Sequence, residues 1–382
     1  MRGRDSWKLC VMAASWKANE RKLLVTAQVG ALAAVPGWHW RMDLNTAPTL
    51  RHLTGPHMPA ISAILVFHRD TPFLRPAIAA ALNQTFRDFE LLLIDNCTGI
   101  PLETLGEAAR DPRVRLLRRP VNDGIFGGHN LGVAEARAEL LALFDSDDLA
   151  SPRRLECQIA ALQADTGLGL ISAMAVRIDA EGRSLGQREF CLCDPREQKA
   201  YAQYAAPIVT PVTMGRREIF TALPYRKEFP FACDLDFQAR VSERARLGVL
   251  PEVLLQYRWY PAQTTQHHFS ELEQSRCVIQ LATARRRAGR AENLPEAFGR
   301  TKGTTVADTW RRGAAVCLEE NFFELSAFQA RRSFALHRSP GSGCAAMRLG
   351  LRAWRKAPAA NRPAVARMFF TGPVKALRLH PA

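Results

Sequence analysis

The chain has 382 residues, of which 47% are hydrophobic and 23% are charged, and its formal net charge at pH 7 is +15. This length supports one large domain or two smaller ones with a full hydrophobic core. No stretch reaches the roughly 18 to 20 apolar residues that span a bilayer, which argues against an integral membrane protein. The nine cysteines, an odd number scattered along the chain, argue against a disulfide framework and favour a reducing compartment.

The positive charge is concentrated at the two ends of the chain. Residues 1–57 carry 8 Lys/Arg and 3 Asp/Glu (net +5), residues 58–272 carry 24 and 27 (net −3), and residues 273–382 carry 20 and 7 (net +13). A basic tail can bind nucleic acid, anionic lipid or an acidic glycan, or it can be a solvated helical extension. We expect a helical extension that has no nucleic-acid partner and that contacts an anionic membrane peripherally.

Strongly patterned sequence begins at Met58. The preceding residues, 1–57, show no sustained hydrophobic period, and we interpret them as a disordered leader or a mis-assigned start, with Met58 as the natural first residue. Residues 58–270 form the predicted main domain. Residues 271–382 form the predicted basic helical extension.

Short apolar runs alternate with helical segments from residue 61 onward. The predicted strands are ISAILVF (61–67), FELLLID (89–95), VRLLRR (114–119), ELLALFD (139–145), 167–179, 208–216 and 253–260. The predicted helices lie at 72–85, within 101–110, and at 124–138, 152–165, 234–246 and 269–288, with Ser151 as the N-cap residue of the fourth and a turn at 181–186. This alternation predicts an α/β fold with a mostly parallel sheet covered by helices on both faces.

Three carboxylates follow the fourth predicted strand, in LLALFDSDDLASP (140–152). Side chains two residues apart on a strand point the same way, so Asp145 and Asp147 should face one ligand while Asp148 faces elsewhere. Like charges this close repel, and a divalent cation with phosphate oxygens in its shell would neutralise them. The structural alternative is that Asp147 or Asp148 caps the following helix.

Polar residues also follow two other predicted strands. Asp95-Asn96 comes after LLLI, and His68-Arg69-Asp70 comes after ISAILVF. Because ligands of open parallel sheets bind beyond the carboxyl ends of the strands, these residues are expected to meet in one crevice. Each of them could instead cap a helix or form a turn.

The order of these motifs resembles the family 2 glycosyltransferases of the GT-A fold. The resemblance is carried by ISAILVFHRD, LNQTFRDFELLLIDN, DPRVRLLRRPVNDGIFGGHNLGVAEARAELLALFDSDD and SPRRLECQIAAL, and it extends over about residues 58–260. It implies a Rossmann-like, mostly parallel sheet flanked by helices, a nucleotide-diphospho-sugar donor and a Mn²⁺ or Mg²⁺ cofactor.

Matched position by position, the family motifs imply a donor site. Asp95 corresponds to the acid that pairs with the nucleotide base, usually uracil, and Asp145 and Asp147 correspond to the metal-binding DxD. Phe67, Arg69 and Ser146 are the further donor-site candidates. The segment NDGIFGGHNLG matches N-x-G-x-x-x-A-R-N-x-G at Asn122, Gly124 and Asn130, but His129 replaces the usual Arg, which removes a permanent charge from the predicted diphosphate contact.

The resemblance also implies an acceptor side. FPFACDLDFQAR (229–240) is similar to an E-D-x-D segment of the family, with Cys233 in place of Glu, Asp234 as the candidate general base and Asp236 as an acceptor-side residue. The alternative for Asp234 is a helix N-cap. Arg258 is a second acceptor-side candidate, and Tyr260 occupies the approximate position of a family His. A Q-x-x-R-W motif is not convincingly present, so transfer of a single sugar is expected.

The resulting hypothesis is a cytoplasmic enzyme, peripheral on the inner face of the membrane, that moves one sugar from a UDP-sugar with inversion. Its acceptor would be a glycan or a lipid-linked molecule in envelope polysaccharide synthesis. One alternative is a nucleotidyltransferase of related fold. Another is a non-catalytic relative that binds nucleotide or glycan, motivated by Asn96, His129 and Cys233.

Overall fold

Within residues 58–189, 191–293, 305–336, 340–366 and 368–369, which the computed structural model describes, nine strands form one mixed sheet. The predicted leader at 1–57 lies outside the described residues. The strands are β1 (Ile61–Phe67), β2 (Phe89–Asn96), β3 (Val114–Arg119), β4 (Leu140–Asp145), β5 (Leu149–Ala150), β6 (Leu168–Ile178), β7 (Ser184–Arg188), β8 (Met214–Arg216) and β9 (Arg246–Arg258). Their order in the sheet is β3-β2-β1-β4-β8-β6-β9-β5, with β7 paired to β6.

Helices cover both faces of this sheet and continue to the end of the described chain. They are α1 (Leu74–Leu82), α2 (Ile125–Glu135), α3 (Arg154–Ala164), α4 (Pro195–Tyr201), α5 (Arg217–Ala222), α6 (Cys233–Val241), α7 (Thr264–His267), α8 (Phe269–Arg287), α9 (Val306–Glu319), α10 (Phe323–Leu336), α11 (Pro340–Lys356) and α12 (Arg362–Ala366). The described residues fall within one compact unit.

The first half of the sheet is parallel and buried on both faces. β1 pairs in parallel with β2 and β4, and β2 pairs in parallel with β3. Because successive side chains alternate between faces, Ile61 and Leu65 pack into one core with α1 and α3, while Ile64 and Val66 pack into a second core with α2, α5 and α6. This explains why β1 and β2 are continuous apolar runs.

The second half of the sheet mixes strand directions. β8 is antiparallel to both β4 and β6, β6 and β9 form a long parallel pair, and the short β5 is antiparallel to β9. The pairing of Leu149 with Gln256 brings the last residues of β9 beside the turn that follows β4. The carboxyl ends of β1, β2 and β4 therefore face a wall formed by the end of β9.

The predicted α/β fold with a mostly parallel sheet is confirmed, and β1 and β3 have the predicted bounds. Four local predictions were wrong. The segment 101–110 forms two 3-10 turns interrupted near Gly106, whose φ is +66°. The stretch 208–216 forms a 3-10 turn and only a short strand, the helix predicted at 234–246 ends at Val241, and α3 has Arg153 rather than Ser151 as its N-cap residue.

The C-terminal helices are joined to the sheet domain by apolar and ionic contacts. Leu272 and Ile279 of α8 pack with Phe229, Ala232 and Leu235 around the start of α6. Within the helical part, the fully buried carboxylate of Glu273 accepts hydrogen bonds from the Trp310 indole and the guanidinium groups of Arg276 and Arg332. A buried charge is tolerated only when it is paired in this way.

Helix α2 lies unusually close to β1 because it presents glycines to the strand. A Cβ added at Gly128 would lie 2.4 Å from Cγ1 of Val66, and one added at Gly132 would lie 2.6 Å from Cγ2 of Ile64. Both distances are shorter than real contacts allow. The position of α2 on the sheet therefore depends on these two glycines.

We predict that Gly132→Ala destabilises the protein, because the new methyl group overpacks a core whose strand cannot move. Overpacking costs about 1–3 kcal/mol, and the higher helix propensity of alanine offsets up to about 1 kcal/mol of that cost. The free energy of unfolding, measured in urea, should therefore fall by about 1–2 kcal/mol. Gly343→Ala is the control, since its Cβ would meet the Phe334 ring at an ordinary 3.4 Å. Equal stability of Gly132→Ala and wild type would contradict this packing.

Candidate active site

Three carboxylates converge where β4 ends. Oxygens of Asp145, Asp147 and Asp148 lie within 4.8 Å of one another, and these residues are called the acidic cluster below. The prediction that Asp148 faces elsewhere was wrong. Strand geometry ends at Asp145 and residues 146–147 form a turn, so the alternation of side chains does not continue to Asp148.

Arg258, the last residue of β9, holds the turn of the acidic cluster in place. Its backbone N–H donates to Oδ1 of Asp148 (2.8 Å), and its Nε donates to the carbonyl oxygen of Asp147 (2.8 Å). The same guanidinium donates to the carbonyl oxygens of Asp179 and Ala180 at 2.9 and 2.8 Å. Because Arg258 is only 4% exposed and fully engaged, the geometry argues against its predicted contact with an acceptor.

The bond from Arg258 also bears on the predicted helix cap. Asp148 accepts from strand β9 rather than from the start of α3, and the N-cap residue of α3, Arg153, makes no side-chain cap bond. The capping alternative is therefore wrong for Asp148.

The acidic cluster is electrostatically strained. Burial, together with repulsion from the charges of Asp147 and Asp234, raises the pKa of Asp145 to about 7. Burial also raises the pKa of Asp148 well above its usual range, with added repulsion from Asp147 and Asp145. For Asp147, burial raises the pKa, while a hydrogen bond from the hydroxyl of Tyr260 (2.9 Å) and nearby positive charges oppose the rise.

Arg154 is the buried cation behind the acidic cluster. Its fully buried guanidinium donates to the carbonyl oxygens of Leu143 and Thr213 and stacks over the Phe144 ring at 4.0 Å. Burial lowers the pKa of Arg154 to about 9, opposed by the charges of Asp145 and Asp148, so it stays charged at neutral pH. The sequence analysis did not identify Arg154. Its position two residues after Pro152, at the start of a helix that packs on the core, was a usable signal.

The donor set of the acidic cluster fits a divalent cation. It offers carboxylate oxygens of the kind Mn²⁺ and Mg²⁺ prefer, and its three carboxylates face two buried cations, Arg154 and Arg258. Oδ2 of Asp148 is buried and has no hydrogen-bond partner among the described residues. A metal ion bound there would supply the missing charge.

Asp234, the candidate general base, lies in the first turn of α6 beside the acidic cluster. Its Oδ2 accepts from the hydroxyl of Thr210 (3.2 Å) and its Oδ1 accepts from the N–H of Leu235 (2.8 Å). The N-cap residue of α6 is Ala232, so the alternative of an N-cap at Asp234 is wrong. The charge of Asp234 contributes to the raised pKa of Asp145, so the two carboxylates lie close enough to interact electrostatically.

Asp236 has a different environment from Asp234. It is 1% exposed and paired with the guanidinium groups of Arg226 and Arg240. Arg226 forms a second ion pair, with the carboxylate of Glu292, at 2.6 Å between nitrogen and oxygen. This geometry leaves no surface for an acceptor at Asp236 and indicates that it holds α6 in place.

The predicted donor motif at 122–130 builds the start of α2. Oδ1 of Asn122 accepts from Nδ2 of Asn96 (2.7 Å) and from the N–H of Gly124 (3.1 Å). Gly124 has φ +108°, a conformation that favours glycine, and it is the N-cap residue of α2. Both ends of the Asn130 amide bind the backbone of Tyr225, at 2.8 and 3.0 Å.

His129, which replaces the arginine of the family pattern, is buried. It is 3% exposed, and neither ring nitrogen has a hydrogen-bond partner among the described residues. Burial lowers the pKa of His129 to about 4, so the ring is neutral at pH 7. The side chain therefore cannot replace the charge of an arginine at a diphosphate.

The remaining predicted donor residues lie at the ends of β1 and β2. In the sheet register Phe67 faces Asp95, and Val66 faces Asp145, so the two acids flank the end of β1. Asp95 accepts from the N–H and hydroxyl of Thr98, the N–H of Gly99 and the guanidinium of Arg118. Phe67 is buried, Arg69 is exposed beyond it, and Ser146 is partly exposed in the acidic turn.

The structure thus brings Asp145, Asp147 and Asp148 together, with Tyr260 bonded to Asp147 and with Asp234 close enough to act electrostatically on Asp145. Arg69 is close enough to act electrostatically on Asp147. The structure does not bring Asp236 or the Arg258 guanidinium to a surface that could face a ligand.

Comparison with known proteins agrees with this geometry. The model of the family described as Glycosyl transferase family 2 matches residues 62–223. An uncharacterized glycosyltransferase of Methanocaldococcus jannaschii is 26% identical over 205 residues, covering 52% of this chain and 71% of the relative. The O-antigen biosynthesis glycosyltransferase WbnJ of Escherichia coli is 34% identical over 121 residues, covering 29% of this chain and 47% of the relative.

A solved structure has a similar fold. The structure of S. aureus TarS in complex with UDP-GlcNAc aligns with a TM-score of 0.50 and 13% sequence identity, covering 70% of this chain and 86% of TarS residues 1–349. The mixed sheet with carboxylates at its strand ends therefore defines a GT-A fold. Residues 62–223 match glycosyl transferase family 2, and this match together with the relatives identifies the protein as a glycosyltransferase.

We predict that Asp145→Asn stabilises the metal-free protein at high pH. The folded state keeps a proton on Asp145 up to about pH 7, whereas the unfolded state releases it near pH 4, so folding stability falls as pH rises through this window. The full effect is up to about 4 kcal/mol. In chelator, Asp145→Asn should therefore unfold at higher urea than wild type at pH 8, with little difference near pH 4.

A divalent cation should reverse this order. Mn²⁺ at pH 8 should raise the unfolding midpoint of wild type and leave that of Asp145→Asn nearly unchanged. Asp165→Asn is the control, because Asp165 pairs with Arg246 away from the cluster. Lower stability of Asp145→Asn than of wild type in chelator at pH 8 would show that the cluster is already neutralised by the protein.

Proposed function

We propose that this glycosyltransferase transfers a single sugar, with inversion, from a nucleotide-diphosphate donor, a UDP-sugar, to a glycan or lipid-linked acceptor in envelope polysaccharide synthesis. The observation that carries the proposal is the acidic cluster with Asp234 beside it in the same site. Two similar proteins support it: TarS was solved with UDP-GlcNAc, and WbnJ is an O-antigen biosynthesis glycosyltransferase.

The acidic cluster is the proposed metal and diphosphate side of the reaction. Asp145, Asp147 and Asp148 would hold Mn²⁺ or Mg²⁺, which when bound offsets the charge of the departing nucleoside diphosphate. Arg69, beside Asp147, would contact the diphosphate with its permanent charge. Tyr260 would keep the Asp147 carboxylate in its present rotamer through its hydroxyl.

Asp234 is the proposed general base. As the acceptor oxygen attacks the anomeric carbon and the bond from that carbon to the diphosphate oxygen breaks, Asp234 accepts the proton of the acceptor hydroxyl. Thr210 fixes one carboxylate oxygen at 3.2 Å. Cys233 does not compete for this role, because burial raises the pKa of its thiol well above the usual value.

The nucleotide base is proposed to bind beside β2. The carboxylate of Asp95 is occupied by Thr98, Gly99 and Arg118, so in this state Asp95 shapes the turn after β2. A base that pairs with Asp95 would have to displace one of these donors. The half-exposed side chain of Arg118 is the donor that can move into solvent, and because Asp95 is buried, the base would have to replace the lost hydrogen bond.

A donor screen tests the proposed function directly. The full-length protein, supplied with Mn²⁺ or Mg²⁺, is incubated with UDP-, GDP- and TDP-sugars while release of nucleoside diphosphate is followed. Metal-dependent release of UDP from a UDP-sugar supports the proposal. Failure of every nucleotide and sugar conjugate to bind by calorimetry, with metal present, would refute it.

We predict that Asp147→Ala abolishes turnover without unfolding the protein. The loss of even an outer partner of a metal ligand costs 10- to 100-fold, so removal of a ligand should lower kcat by more than about a hundredfold. Thermal stability in chelator should stay the same or rise, because one charge leaves a repelling group. Asp165→Ala is the activity control, and wild-type-like transfer by Asp147→Ala would rule out a metal at this site.

We predict that Asp234→Asn lowers kcat by about 10²- to 10⁴-fold, the usual contribution of a general base. Binding of UDP with Mn²⁺, measured by calorimetry, should change by less than about twofold. Asp236→Asn is the matched control two residues away, and it should destabilise the fold by about 3–5 kcal/mol because it breaks a buried ion pair. If Asp234→Asn kept the kcat of the wild type, another residue would have to be the general base.

A further inference from the structure

Helix α11 carries two parallel stripes on its exposed side. Met347, Leu351 and Trp354 follow one another at helical spacing and are 42%, 38% and 38% exposed. The residue that follows each of them in sequence is an exposed arginine, namely Arg348, Arg352 and Arg355. The six residues are called the two-stripe face. One of its stripes is apolar and the other is basic.

The opposite side of α11 fixes its orientation. Ala346, Ala353 and Ala357 are buried, and the last two pack in a cluster with Ala327 of α10 and Val365 of α12. The helix therefore cannot roll to bury its apolar stripe within the described part of the chain. Phe334 of α10, 45% exposed and adjacent to Gly343, lies beside the start of α11 and adds a further exposed ring.

The sequence that carries the basic stripe contains no acidic residue. The last acid of the chain is Glu324, and residues 325–382 contain no Asp or Glu. Lys356 and Arg362 add to the positive charge at the end of α11, and both are exposed. The face therefore combines clustered positive charge with apolar side chains that water solvates poorly.

We propose that the two-stripe face rests on the surface of an anionic phospholipid bilayer. The Trp354, Leu351 and Met347 side chains would enter the boundary between headgroups and acyl chains, and the arginines would lie among the lipid phosphates. A 17-residue helix is about 25 Å long and would lie in the plane of the surface. No helix in the described ranges is both long and apolar enough to cross a membrane.

The apolar stripe favours lipid over nucleic acid. A nucleic acid is bound by cations at its phosphates and by aromatic rings that stack on its bases, and it gives Leu351 and Met347 little apolar surface to bury against. A bilayer surface matches both stripes at once, since it offers anionic headgroups next to hydrocarbon. The proposal goes beyond sugar transfer and does not depend on the identity of the donor.

Vesicle sedimentation with the full-length protein tests the proposal. Binding should require phosphatidylglycerol, since phosphatidylcholine alone lacks the charge, and it should weaken as salt rises. Arg348→Gln with Arg352→Gln should weaken binding by at least about tenfold, because each arginine near an anionic surface contributes about fivefold. Leu351→Ser with Trp354→Ser should weaken it at low and high salt alike.

A matched pair of substitutions on the sheet domain is the control. Arg183 and Leu185 are exposed near and within β7, and Arg183→Gln with Leu185→Ser should leave binding unchanged. Quenching by bromine-labelled acyl chains should be present in wild type and largely lost in Trp354→Phe. Donor turnover without vesicles should be unchanged in all these variants, which separates this proposal from the proposed reaction.

Two results would overturn the proposal. One is equal vesicle binding by wild type and both α11 double variants. The other is displacement of the protein from vesicles by single-stranded DNA together with no effect of Leu351→Ser and Trp354→Ser, which would identify a nucleic-acid site instead.

Discussion

Repulsion among the three carboxylates of the acidic cluster is the constraint around which the site is built. Two buried cations, Arg154 and Arg258, act against this repulsion. Burial of the Arg154 guanidinium is itself costly, and its hydrogen bonds to two carbonyl oxygens offset part of that cost. The cluster persists because the backbone N–H and guanidinium of Arg258 fix the turn from outside. The fold thus holds a site that is charged, undercompensated and ready to accept a cation.

This arrangement couples the acidic cluster to the distant half of the sheet. Arg258 reaches the turn only because β9 runs parallel to β6 and pairs with β5 at Leu149. Its planar guanidinium spans three carbonyl oxygens, and a lysine could not reproduce that fork. A register shift of β9 would release Asp148 and with it the geometry of the metal side, so strand pairing and chemistry are linked through one residue.

The sequence was sufficient for the parallel strands and for the clustering of Asp145 and Asp147 at the end of β4. Continuous apolar runs identify buried strands, and strand ends meet at one edge. It was insufficient for Asp148, Asp236 and Arg258, since their roles follow from a turn and from ion pairs between segments far apart in the chain. It also could not show that Asn130 binds the backbone of Tyr225, a contact that spans 95 positions.

These contacts change what the donor motif means in this chain. Asn122 and Asn130 shape the loop and the helix that line the site, and both are already hydrogen-bonded within the protein. His129 is neutral and buried, so α2 contributes no side-chain cation to a diphosphate. In the proposed reaction, positive charge at that point would come from a metal ion at the acidic cluster and from Arg69, which acts electrostatically on Asp147. With His129 in place of the motif arginine, the proposed reaction would depend more strongly on the carboxylates of the acidic cluster.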